Sequence, residues 1–154
     1  MCCQQVLTQR EFLDTRQTNS AHLDLVATPH AAPLARLFLR EQARIGLPPH
    51  SLATAELLTS ELVTNALMHA RTSLNVGVTW DVDDKIVVAV QDATQQTPTR
   101  SARQLHIYED EIVESGWGMF LVATLADDFG WYLLPAGGGK VIWFGLGVAD
   151  PVPA

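Results

Sequence analysis

The stretch Glu61-Leu-Val-Thr-Asn65-Ala-Leu-Met-His69-Ala70 decides the fold of this chain. Its polar residues Glu61, Asn65 and His69 recur every four positions, so at about 100° per residue they share a narrow sector of a helix. This sector borders an apolar stripe formed by Ala55, Leu58, Leu62 and Ala66. A helix that needed only solubility would carry its polar residues on the opposite side. The pattern predicts a carboxylate and an amide at the edge of the core, which suit a hard cation and a reacting hydroxyl or water.

Length and composition describe one globular domain of ordinary character. The chain has 154 residues, 47% of them hydrophobic and 18% charged, which suffices for a single sizeable core. Its net charge of −7 argues against nucleic acid or an anionic membrane as the main partner. The sequence contains no apolar run of membrane-spanning length and no signal pattern, and the adjacent Cys2 and Cys3 form no CxxC motif. We therefore expect a cytoplasmic protein with two free thiols.

Hydrophobic periodicity and turn residues predict the order of the elements. Residues 1–20 and 149–154 are expected to be tails around a domain at 21–148, in which residues 94–115 form a long polar lid segment. The order strand-helix-helix-strand-strand-lid-helix-strand-strand predicts an α+β two-layer sandwich, with a mostly antiparallel mixed sheet and helices on one face. The predicted strands are 22–27, 72–80, 85–91, 129–134 and 140–145. The first predicted helix is capped by Thr28, and the other two span 51–69 and 118–126.

Three separated motifs occur in a characteristic order. The helix motif Glu61…Asn65…His69 is followed by the apolar strand Val88-Ala-Val-Gln-Asp92 and by the glycine pair in Gly116-Trp-Gly118-Met119. In order and spacing they resemble the ATP-binding boxes of the histidine-kinase-like (Bergerat-fold, GHKL) ATPase superfamily. The sequence of the helix motif, together with residues 33–38 and 139–143, is most similar to the branch of anti-sigma-factor serine/threonine kinases. The resemblance spans roughly residues 22–147.

The resemblance implies a role for each motif. Asn65 would hold Mg²⁺ that bridges the nucleotide phosphates, and Glu61 would be the general base that accepts the proton of the attacking hydroxyl. Asp92 would accept the exocyclic amine of adenine. Gly116, Gly118 and Met119 would meet the phosphates at the start of a helix, whose free N–H groups favour anions. ATP and Mg²⁺ are therefore the expected cofactors.

Each of these residues also has an ordinary structural explanation. Asn65 could bond to nearby backbone, Glu61 could be a solvated helix residue, and Asp92 could cap a turn. His69 is better explained as a structural histidine at the helix end than as a phosphate ligand. Gly137-Gly-Gly-Lys140 lacks the spacing of a phosphate-binding P-loop, so we expect a hairpin turn with a solvated lysine.

Two classes of function remain open. The resemblance implies phosphorylation of a serine or threonine on an anti-anti-sigma-like (STAS) partner, with or without sequestration of a sigma factor, and the Glu61–Asn65 pair favours this enzyme. The alternative is a non-catalytic interaction module with an ATP-binding or degenerate pocket. Two features favour the module: Asp92-Ala93-Thr94 lacks the glycine of the Asp-x-Gly pattern that many members have, and the bulky Trp117 lies between the two glycines. A homodimer through the first helix and its neighbouring strand is a further implication, whereas no direct nucleic-acid or membrane contact is expected.

Overall fold

The computed structural model describes residues 19–43, 47–70, 73–80, 85–95 and 117–147. These residues form a sheet of five strands in the order β1-β2-β3-β5-β4, and every neighbouring pair is antiparallel. The strands are β1 (Asn19–Leu25), β2 (Leu74–Trp80), β3 (Lys85–Asp92), β4 (Asp128–Leu133) and β5 (Lys140–Gly147). The helices are α1 (Ala31–Gln42), α2 (Pro49–Ala70) and α3 (Trp117–Leu125). The predicted two-layer α+β sandwich is confirmed.

The three helices lie side by side over the sheet in chain order. Helix α1 packs on β1 and β2, α2 packs on β3 and β5, and α3 packs on β4. Helix α2 also packs against both α1 and α3, so it is the central helix of the layer. This order determines which flank of α2 faces each neighbour.

The main core lies between the two layers and contains the apolar stripe predicted for α2. Leu58, Leu62 and Ala66 are buried there against alternate residues of β2, β3 and β5, among them Val76, Val88 and Phe144. Alternation along each strand explains this pattern, because residues two apart share one face of a sheet. The face of a residue on β3 or β5 can therefore be read from its spacing to Val88 or Phe144.

The predicted element boundaries hold to within a few residues, with one local correction at the start of α1. Thr28 does not cap this helix directly, because α1 begins at Ala31 and His30 occupies the cap position without a side-chain hydrogen bond. Thr28 instead forms the preceding turn, in which its hydroxyl accepts from the His30 N–H at 3.3 Å. Residues 1–18, 148–154 and most of the predicted lid lie outside the described residues, whereas Asn19 and Ser20 belong to β1.

The Thr59 hydroxyl in the middle of α2 is fully buried and has no hydrogen-bond partner among the described residues. An unpaired buried hydroxyl costs stability, and valine has nearly the same shape without it. We expect Thr59→Val to raise the free energy of unfolding by ~1 kcal/mol, measured by urea denaturation. Thr64→Val, at an exposed position of the same helix, is the matched control and should change it little. Equal effects of the two substitutions would contradict the assignment of an unsatisfied hydroxyl.

Candidate functional site

Helix α2 presents Glu61 and Asn65 on the flank that faces away from α1. The α1-facing flank is identified by two contacts, the Arg36 Nη1 bond to Ser60 Oγ at 2.8 Å and the Arg40–Glu56 ion pair. Glu61 follows Glu56 by five residues, and Asn65 follows Ser60 by five. Each is therefore rotated about 140° from its counterpart. Because α3 packs on the other side of α2, this rotation directs both side chains toward the α3 side of the layer.

Both side chains on this flank are half-buried and unengaged. Within the part of the chain that the structure describes, no hydrogen bond or ion pair involves Glu61 or Asn65. The structural alternative for Asn65, a bond to nearby backbone, is therefore not among the described contacts. An amide oxygen and a carboxylate one helical turn apart are available to a cation and to a proton donor.

Asp92 closes strand β3 on the helix-facing side of the sheet. It shares that face with Val88 and Val90, and its side chain is only 3% exposed. Its Oδ1 accepts from the Thr94 N–H at 2.9 Å, so the turn-capping contact expected as an alternative is present. The same carboxylate also lies 3.0 Å from Lys140 Nζ through Oδ2 and 3.3 Å through Oδ1. The carboxylate is thus fixed by two residues at once.

The position of Lys140 differs from the one that its sequence context predicts. We expected a solvated lysine in a hairpin turn, but Lys140 is 2% exposed and begins β5 directly opposite Asp92. The expected hairpin itself is present, with a short 3₁₀ turn at Pro135–Gly137. The error arose because only the strand register shows that residue 140 shares a rung and a face with Asp92. Two residues of opposite charge on one rung bring their Cβ atoms within about 5.5 Å.

Gly139 sets the position of Lys140 by a close approach to β3. Its φ of +100° lies in the left-handed region, and a Cβ added there would lie 1.9 Å from the Asp92 carbonyl oxygen and 2.9 Å from Ala93 Cα. Only glycine fits this conformation and this gap. Gly139 therefore makes a close backbone approach to the end of β3.

Only the second part of the glycine-pair motif, from Trp117 onward, lies among the described residues. Trp117 and Gly118 are the first two residues of α3, and Gly116 lies outside the described residues. Met119, in the first turn of α3, is half-buried and packs against the main core. His69 belongs to the last turn of α2, but its side chain is outside the description. Because α3 packs on the flank of α2 that carries Glu61 and Asn65, the first residues of α3 lie on the same side of α2 as these two side chains.

An open depression lies at the end of the sheet where β3 ends and β5 begins. It is lined by residues that include Ser73, Gln91, Asp92, Ala93 and Gly138. Neither Glu61 nor Asn65 is among the residues that line it. Most of the segment between β3 and α3 lies outside the described residues.

The residues present at the Asp92 end fit the amino edge of a purine. A carboxylate offers about four acceptor positions. The Thr94 and Lys140 contacts use three of them and leave one on Oδ2. One N–H₂ donor can therefore be accepted without breaking either existing contact. Asn65 offers an amide oxygen, which suits Mg²⁺. Among the described residues, no three His, Cys, Asp or Glu side chains are placed to hold a metal ion together.

Comparison with protein families agrees with this arrangement. Residues 25–145 match the histidine kinase-like ATPase domain. Because the match covers most of the chain, the protein belongs to the histidine kinase-like ATPase domain family. A search among curated proteins found none that matches the chain. The family and the fold support nucleotide binding as the general activity. Among the described residues, no helix is both long and apolar enough to cross a membrane.

Proposed function

We propose that this protein binds ATP with Mg²⁺ and transfers the γ-phosphate to a serine or threonine of a partner protein, in the manner of anti-sigma factors. The partner would be an anti-anti-sigma-like (STAS) protein, a sigma factor that the domain sequesters, or both. The observation that carries the proposal is the half-buried pair Glu61 and Asn65, unengaged on the flank of α2 toward α3. It lies within a domain of the nucleotide-binding family.

The roles of the residues follow from their chemistry. Asn65 would hold Mg²⁺ through its amide oxygen, and the ion would neutralise charge on the phosphates while taking its other ligands from phosphate and water. Glu61 would accept the proton of the attacking hydroxyl. Asp92 would accept the exocyclic amine of adenine, which distinguishes it from guanine because guanine presents a carbonyl at that position. Gly116, Gly118 and Met119 would lie by the phosphates at the start of α3.

The alternative is a non-catalytic module that binds ATP, or nothing, and acts by sequestration. The observations that favour it are in the sequence, where Asp92-Ala93-Thr94 lacks the glycine of the family's Asp-x-Gly pattern and the bulky Trp117 separates the two glycines. The resemblance also implies a homodimer through α1 and β1, and the exposed Leu34 and Leu37 on α1 are compatible with it.

A phosphate-transfer assay separates the two functions. The purified protein would be incubated with γ-labelled ATP, Mg²⁺ and candidate STAS-type partners, and label on a partner serine or threonine would be measured. The proposed kinase transfers label in a Mg²⁺-dependent manner. ATP binding without transfer to any candidate, together with stable complexes with sigma factors, would favour the sequestering module.

A further inference from the structure

The Asp92–Lys140 pair contains a residue to which neither the family match nor the sequence motifs give a role. Both side chains are almost fully buried, and Lys140 Nζ lies 3.0 Å from Asp92 Oδ2 and 3.3 Å from Oδ1. Within the described residues, these are the contacts that Lys140 Nζ makes. The other lysine of the chain, Lys85, is partly exposed and pairs with Asp128 at 2.7 Å.

Stability alone gives no reason for a buried ion pair at this place. Removing two charges from water costs about as much free energy as their attraction returns, and well-packed apolar residues of similar size often serve as well. The neighbouring positions of the same face, Val90 and Ile142, show that apolar packing is available on these strands. The pair is therefore better explained by a ligand that needs both charges than by the fold.

The hydrogen-bonding capacity of the pair is not exhausted. One acceptor position remains on Asp92 Oδ2, as counted above. An ammonium group has three N–H donors, and the two oxygens of one carboxylate lie too close together to take two of them separately, so a single shared N–H leaves donors without a described partner. The pair thus offers an acceptor and a donor whose parent atoms are 3.0 Å apart.

Given the proposed ATP binding, on which this inference rests, we propose that Lys140 is a second base-reading residue. One of its remaining N–H groups donates to the adenine ring nitrogen beside the exocyclic amine, while Asp92 accepts from that amine. Adenine carries a ring acceptor next to the 6-amino donor on each of its two edges, at N1 and at N7. An adjacent acceptor and donor on the protein complement either edge. Lys140 is thus a specificity residue as well as the partner that fixes Asp92.

Adenine analogues test this role without relying on catalysis. We would measure by calorimetry the affinities of ATP, 1-deaza-ATP and 7-deaza-ATP, each of which keeps the 6-amino group. One analogue is expected to bind the wild type about tenfold or more weakly than ATP, because a hydrogen bond from a charged donor is lost. In Lys140→Met this difference should vanish, since the donor itself is absent. The analogue that shows the loss identifies the edge as N1 or N7.

Two further variants keep the test decisive. Lys85→Met also removes one lysine from an ion pair, but at the surface, and should keep the full difference between ATP and the analogue. If Lys140→Met alone does not fold, because it leaves the Asp92 carboxylate buried without a partner, it is combined with Asp92→Asn. The double variant has no unpaired buried charge, and it too should bind ATP and the two analogues equally. Circular dichroism would confirm that each variant is folded.

The outcomes distinguish this inference from the proposed function. Equal binding of all three nucleotides to the wild type, or a difference that persists without Lys140, overturns the role of Lys140 and leaves ATP binding intact. If Lys140 had only a structural role, its replacement would lower the affinities for all three nucleotides by the same factor. If the wild type binds no ATP, the proposed function fails, and this inference fails with it.

Discussion

Gly139→Ala is expected to lower the free energy of unfolding by at least ~3 kcal/mol, because two costs coincide at this residue. Its φ of +100° disfavours any side chain, and the new Cβ would lie 1.9 Å from the Asp92 carbonyl oxygen, which is backbone and cannot rotate away. Relief of the clash would push the start of β5 away from β3. Urea denaturation measures the loss, and nucleotide affinity should fall with it because Lys140 follows directly in the chain.

Gly137→Ala is the matched control for this substitution. Gly137 also has a positive φ, of +72°, but a Cβ there would meet only the end of the flexible Gln95 side chain, at 3.7 Å. The expected loss is therefore only ~1 kcal/mol, the cost of the left-handed conformation alone. If the two alanine variants lost equal stability, the close approach of Gly139 to Asp92 would not be the constraint described above.

Glu61→Gln is expected to leave ATP binding nearly unchanged and to slow phosphate transfer by about 10²–10⁴-fold, the usual contribution of a positioned general base. Glutamine keeps the size of the side chain and one acceptor oxygen, but its amide cannot take up the proton of the attacking hydroxyl. A single-turnover assay with γ-labelled ATP and the partner protein measures the chemical step directly.

Glu56→Gln provides the control from the same helix. Glu56 pairs with Arg40 on the α1-facing flank, about 140° away from Glu61, so its replacement should leave the transfer rate unchanged. A Glu61→Gln variant that transfers phosphate as fast as the wild type would refute the assignment of the general base. A similar loss in both variants would indicate a general effect on α2 rather than on the chemistry.

The sequence was most informative where one periodic pattern determined the result. Leu58, Leu62 and Ala66 recur at helical spacing, so they share one face of α2. That face is buried, as predicted. The strands could be predicted in the same way, from alternating apolar and polar residues bounded by turn residues. The fold class could therefore be predicted before any contact was known.

Features that depend on contacts between distant segments could not be predicted in this way. Lys140 follows three glycines, a context that indicates an exposed turn, and only the antiparallel register of β3 and β5 places it opposite Asp92. Likewise, the helical spacing put Glu61 and Asn65 on one sector, but the order of the helices over the sheet was needed to show that this sector faces α3. Local sequence specifies periodicity, whereas register and layer order arise from the whole fold.

The measurement that tests the central claim most directly is a calorimetric titration of the purified protein with ATP, with and without Mg²⁺, and with GTP as the control. Our account predicts Mg²⁺-dependent binding of ATP and much weaker binding of GTP, because Asn65 would hold the ion and Asp92 would accept the adenine amine. No binding up to millimolar ATP, or equal affinity for ATP and GTP, would contradict it.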